Sequence, residues 1–117
     1  CGERMEDGHR AALDLLSRPD RPTALIAIND LLGIAAIRAA ADLGLRIPDD
    51  VSIAGFDDIP FTSYSVPRLT TVAGNPKQGG HDAVRLLLKR LVDPDRPQEI
   101  ITSGWELHIR ESTGRAP

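Results

Sequence analysis

Short unbroken apolar runs along the chain alternate with longer stretches whose apolar residues recur at helical spacing, and proline, glycine or a capping side chain marks most junctions. Residues 6–17 carry Ala12, Leu13, Leu15 and Leu16 at helical spacing and are closed by Pro19 and Pro22. The run TALIAI at 23–28 reads as a fully buried strand, and Asn29 or Asp30 can cap the next helix. Residues 31–43 form that helix, interrupted only by Gly33 and stopped by Gly44. RIPDD is a turn and VSIAGF at 51–56 is a second strand. A loop with Pro60 and Pro67 covers 57–68, and LTTVAG at 69–74 is a third strand rich in β-branched residues. Asn75 and Pro76 start a helix over 77–92, with Val84, Leu87, Leu88 and Leu91 in one stripe. After the turn DPDRP, residues 98–102 and 105–110 read as extended ribbon.

This alternation predicts an α/β fold: an open parallel sheet with flanking helices and right-handed crossovers. Ligands of such sheets bind at the carboxyl ends of the strands. Two predicted strands end there on polar pairs, Asn29–Asp30 and Asp57–Asp58, which places both pairs on one rim. The helix at 31–43 has only Arg38 and Asp42 as charged residues and is apolar around most of its circumference. Either it is an alanine-rich surface helix or its outer face packs on another subunit.

Composition narrows the picture. The 117 residues fit one modest domain, and 41% apolar content is enough for a core, built from Ala, Leu, Ile and Val because aromatics are 3%. The net charge of −3 argues against this chain gripping nucleic acid through its phosphates. One cysteine cannot form an internal disulfide, and a reducing, cytoplasmic setting is expected. No apolar run reaches bilayer length and no signal segment opens the chain. Cys1 rather than Met at the start points to a fragment.

No catalytic constellation is expected: G-x-S-x-G, a phosphate-cradling glycine loop and His/Cys metal spacing are all missing from the sequence. His9, His81 and His108 are scattered and read as surface residues. Asp57 and Asp58 could in principle hold magnesium or simply make a turn. The favoured role is hydrogen bonding to a polyhydroxylated or heteroaromatic small molecule, because an ionised carboxylate is a strong acceptor of hydroxyl donors. Neither a cofactor nor a metal is expected.

PTALIAIND at 22–30, GLRIPDDVSIAGFDDIP at 44–60, VPRLTTV at 66–72 and IRES at 109–112 resemble, in order and over nearly the whole chain, the lactose-repressor (LacI/GalR) family of bacterial transcription regulators. The resemblance implies a periplasmic-binding-protein-like, Rossmann-like lobe, present here as the latter, incomplete part of a two-lobed effector domain. Residues 1–74 and 98–112 would form the carboxyl-terminal lobe, and 75–97 would pack on the amino-terminal lobe. Operator DNA would be read by an amino-terminal helix-turn-helix not contained in this chain. Asn29 and Asp57 match family positions that contact the effector, a sugar or nucleobase-like molecule. Asp30 would be the helix cap and Asp58 a structural acid of the loop. Where the family often supplies a stacking aromatic, this chain has Glu3, and the family's clamping arginine lies upstream. The family's homodimer contact places Ile34, Arg38, Phe61 and Tyr64 near a partner, although Phe61 and Tyr64 could instead be lids over the lobe's own core. The leucine stripe at 84–91 would fold back on this lobe or bury itself in a second chain. Two rival readings remain: a lobe of a periplasmic sugar-binding protein, and a small α/β enzyme using Asp57.

Overall fold

In the computed structural model, residues 4–115 are described. The order is α1 (Met5–Leu16), β1 (Ala24–Ile26), α2 (Asp30–Asp42), β2 (Ser52–Phe56), a 3-10 turn (Pro60–Ser63), β3 (Thr70–Ala73), α3 (Pro76–Val92) and β4 (Glu106–His108). The strands lie in the order β1-β2-β3-β4. β1 pairs parallel to β2 with Leu25 opposite Ile53, and β2 pairs parallel to β3 with Gly55 opposite Thr71. The expected open α/β sheet forms, parallel over β1, β2 and β3, with the connections from β1 through α2 to β2 and from β2 through the 3-10 turn to β3. β4 joins beside β3, and the residues that follow it run against β3, the Arg110 N–H meeting Thr70 and the Ser112 N–H meeting Arg68 O. The ribbon expected over 98–102 and 105–110 shrinks to the three residues of β4.

Two compact units divide the chain: Cys1–Ala73 with Leu107–Pro117, and Gly74–Glu106. The core belongs to the first. Val51, Ile53 and Leu69 are fully buried with Ala12, Leu16, Ala36, Ile37, Ala39 and Ala40 around them. Burial of each large aliphatic side chain stabilises the fold by roughly 1.5–3 kcal/mol. Gly33 lets α2 lie close to the sheet, since a Cβ there would stand 2.8 Å from Leu69 Cδ2. α1 covers a further side of α2, burying Gly8, Ala12 and Leu16. Most of the apolar circumference of α2 is thus used within the chain: Leu31 is exposed, as is Leu43 at the C-cap, while Leu32 and Ile34 are half-buried.

One burial expectation fails. The run at 23–28 is not covered on both faces: Ile26 is 87% and Ile28 79% exposed, while the alternate residues Leu25 and Ala27 are half-buried. β1 is the edge strand, and the described residues cover only one of its faces. In the second unit, α3 is capped as expected, Asn75 accepting from the Gln78 N–H at 3.0 Å with Pro76 at its first position. No residue of α3 is buried, however, and Val84, Leu87, Leu88 and Leu91 are 57–68% exposed.

Candidate effector site at the strand ends

The first polar group of the rim comes from Asn29. Its backbone is extended, and its side-chain oxygen accepts the Leu32 N–H at 2.9 Å, which makes it the cap of α2. The cap is therefore Asn29, not the expected Asp30. A side-chain amide has two ends. With the oxygen taken by the cap, the Nδ2 donor of Asn29 is left without a hydrogen-bond partner among the described residues.

Asp30 is the first residue of α2 and is fully buried. Its carboxylate accepts the Ile59 N–H at 2.9 Å and the Thr71 hydroxyl at 2.5 Å. Desolvation pushes its pKa above the usual carboxylate value; those two bonds oppose the rise, and the nearby charges of Asp57 and Asp58 add to it. Gly55 makes this possible, because a Cβ there would stand 2.3 Å from Asp30 Oδ1. The buried acid ties three pieces together: the start of α2, the loop after β2, and β3.

The adjacent acids at the end of β2 do different work. The strand stops at Phe56, and Asp57 (φ 110°) and Asp58 (φ 53°) both leave it with positive φ. Asp58 lies in the left-handed region, which aspartate tolerates better than most side chains, whereas Asp57 lies well beyond it, where residues other than glycine are rare. The Asp57 N–H still donates to Val72 O at 2.9 Å, yet its side chain is exposed and no described residue bonds it. Asp58 turns inward. Its Oδ1 takes Arg110 Nη2 at 2.6 Å and its Oδ2 meets His108 Nδ1 at 2.9 Å. Desolvation alone would raise its pKa, but the Arg110 bond and charge and the His108 hydrogen bond hold it below the usual value. Asp58 is the structural acid expected.

Sequence reasoning missed the partners of Asp58. His108 is not a solvated surface histidine, and Arg110 joins strand-distant parts of the chain. The alternation along 105–110 was the available signal, since it gives both residues the same parity. His9 is likewise half-buried rather than free, its Nε2 standing 2.8 Å from Asp42, which also pairs with Arg38. His81 is exposed as expected. Glu3 lies outside the described residues.

Of the residues assigned to a partner contact, Ile34, Phe61 and Tyr64 line one apolar groove with Met5, Leu31 and Ser65. Arg38 lies one turn along α2, in a neighbouring groove that shares Met5. Phe61 and Tyr64 are 67% and 82% exposed, so they are not lids over the core. Among the described residues, no three His, Cys, Asp or Glu side chains form a group that could hold a metal. Among the described residues, no helix is long and apolar enough to cross a membrane.

In open parallel sheets of this kind, small ligands bind outside the carboxyl ends of the strands, which is where these polar groups lie. The chain belongs to the periplasmic binding protein-like domain family, which matches residues 2–113. Its relatives are regulators of the type the sequence resembles. It is 38% identical over 92% of its length to the HTH-type transcriptional repressor PurR of Mannheimia succiniciproducens, of which it covers 32%. A LacI family transcriptional regulator from Bifidobacterium animalis subsp. lactis superimposes with a TM-score of 0.90 at 32% identity, over 98% of this chain and 42% of that one. A LacI family regulator from Enterococcus faecium, solved with bound ribose, gives 0.80 at 31% identity over 95% and 40%. The chain spans about a third of the length of the curated relatives it matches.

Proposed function

We propose that this chain is the effector-binding and dimerising part of a LacI-type transcriptional regulator, with Asn29 and Asp57 as effector contacts. The reading is carried by the parallel pairing of β1 with β2, which sends both strand ends to the same side of the sheet. A donor amide at Asn29 and an unengaged acceptor carboxylate at Asp57 match the alternating donors and acceptors of a sugar. A nucleobase edge is the second possibility, because one of the relatives is a PurR repressor. In the whole protein the effector would sit between two lobes and shift DNA binding only by its differential affinity for the two lobe arrangements. Residues 75–97, and with them the exposed stripe of α3, would face the other lobe. No covalent chemistry is required of any residue. The lineage of regulators also favours a cytoplasmic, non-enzymatic protein over a periplasmic sugar carrier or an enzyme using Asp57.

The test is isothermal titration of the full-length protein with ribose, glucose, cellobiose, hypoxanthine and guanine. Asp57→Asn is expected to weaken the binding of any hit by about tenfold or more, since a charge-assisted hydrogen bond contributes roughly 1.5–3 kcal/mol. A hit of unchanged affinity in that variant would remove Asp57 from the site.

The apolar groove of Ile34, Phe61 and Tyr64, with Arg38 beside it, supports a homodimer contact through α2 and the turn after β2. Phe61→Asp places a charge where the side chain is already exposed, so folding should be little affected. Sedimentation of the full-length variant is expected to show monomer at concentrations where the unaltered protein is dimeric. A dimer of undiminished stability would exclude this groove from the contact.

A further inference from the structure

We infer that Arg110 is a positioning residue for the effector site, acting through Asp58 on the carboxylate of Asp57. The inference rests on the proposed role of Asp57. Arg110 is largely buried, its side chain 16% exposed. Its guanidinium reaches three acceptors from separate parts of the chain: Asp58 Oδ1 at 2.6 Å, Thr62 Oγ1 at 2.8 Å and the Leu69 carbonyl at 2.8 Å. Its own N–H donates to Thr70 Oγ1 at 2.9 Å, fixing the residue against β3. His108 takes the other oxygen of Asp58, and the Thr62 hydroxyl also donates to the Ile59 carbonyl at 2.7 Å.

The consequence falls on Asp57. On one side its N–H is held by Val72 O, and on the other the next residue is pinned through its side chain. Between these two fixed points Asp57 adopts φ 110°, a backbone that a solvated loop of ordinary residues would leave. Arg110 thus keeps Asp58 turned inward and Asp57 turned outward. It also neutralises Asp58, so that a second unpaired carboxylate does not stand beside the first. A planar fork that serves three acceptors has no equivalent in lysine, which offers a single point of charge.

The experiment is titration of ribose, glucose and cellobiose into the full-length protein, the Asp57→Asn, Arg110→Lys and Asp58→Asn variants, and the double variant of Arg110→Lys with Asp57→Asn. Unfolding midpoints are measured alongside, with Ile53→Val as a control that loosens the core away from the loop. Arg110→Lys and Asp58→Asn are each expected to weaken sugar binding about tenfold at a temperature where both are folded, whereas Ile53→Val leaves affinity unchanged at a similar loss of midpoint. The double variant is expected to bind no more weakly than Asp57→Asn alone, because Arg110 has nothing left to position. If Arg110→Lys does not fold, Asp58→Asn carries the same comparison. Failure of the unaltered protein to bind any of the three sugars, or full affinity in Asp57→Asn, overturns the proposed sugar contact at Asp57 and this inference with it. Weakened binding in Asp57→Asn with full affinity in Arg110→Lys or Asp58→Asn overturns the inference alone, as does additive loss in the double variant.

Discussion

Replacing Asp30 with alanine is expected to remove about 3 kcal/mol of folding free energy, because it strands the Thr71 hydroxyl in a fully buried site and the Ile59 N–H in a partly buried one, and each unsatisfied buried group costs roughly 1–3 kcal/mol. Asparagine should behave differently. Its oxygen can accept the Ile59 N–H while its amide donates to the Thr71 hydroxyl, which is itself able to accept. Asp30→Asn is therefore expected to cost about 1–2 kcal/mol at neutral pH, less than alanine, since only the Thr71 O–H gives up its acceptor. The two variants also separate the hydrogen bonds from the charge. The pKa of Asp30 is raised in the folded state, so the native chain holds the proton more tightly than the unfolded chain does. Below the ordinary value of 3.8 the carboxyl is protonated in both states and its titration costs nothing. As the pH climbs from there through the raised native value, ionisation of this group disfavours the fold. The stability of Asp30→Asn relative to the unaltered protein should consequently improve as pH rises across that window. Urea unfolding followed by circular dichroism at a series of pH values measures this directly. A flat difference, or one of opposite slope, would show that the buried carboxyl is not the destabilised species.

Much of the fold could be read from the chain because local signals agreed with one another. Asn75–Pro76 starts a helix, and Gly44 ends one with φ 70°. The alternation of helix and apolar run specified the parallel sheet. What the sequence did not reveal were the relations between distant residues of the same sign or type. The pairs Asn29–Asp30 and Asp57–Asp58 each look like two interchangeable polar groups. The structure divides both: Asp30 and Asp58 are held by Thr71 and by Arg110, some forty to fifty residues away, while Asn29 and Asp57 keep a group to offer. No spacing rule predicts such a division, since it depends on which face β3 and β4 present. The misreading of β1 has another origin. An unbroken apolar run specifies that two faces are to be covered, and it does so whether or not the described residues supply both covers.

The same dependence on a close approach makes Gly55 the most sensitive glycine of the site. It is buried opposite Thr71, and its missing side chain is the space into which Asp30 fits. A Cβ at this position would stand 2.3 Å from Asp30 Oδ1, 2.9 Å from Leu69 Cδ2 and 3.2 Å from Asp30 Cα. The first neighbour is anchored by Thr71, the second is fully buried, and the third is backbone, so none can retreat cheaply. Overpacking of this kind costs typically about 1–3 kcal/mol, and losing the Asp30 bond adds about 1 kcal/mol more. Gly55→Ala is accordingly expected to destabilise by about 3 kcal/mol. If Asn29 contacts an effector as proposed, the variant should weaken that binding too, since relief of the clash would move the start of α2, where Asn29 lies. Gly79→Ala is the matched comparison. That glycine sits inside α3 with open space where its Cβ would go, so alanine should stabilise by up to about 1 kcal/mol through helix propensity alone. Denaturation midpoints moving in opposite directions for the two variants would assign the loss at Gly55 to packing against Asp30. A loss at Gly55 smaller than about 0.5 kcal/mol, within the range of an ordinary surface substitution, would mean that Asp30 can be displaced without consequence, and the tie between α2, the loop and β3 would no longer explain how the two offered groups are held.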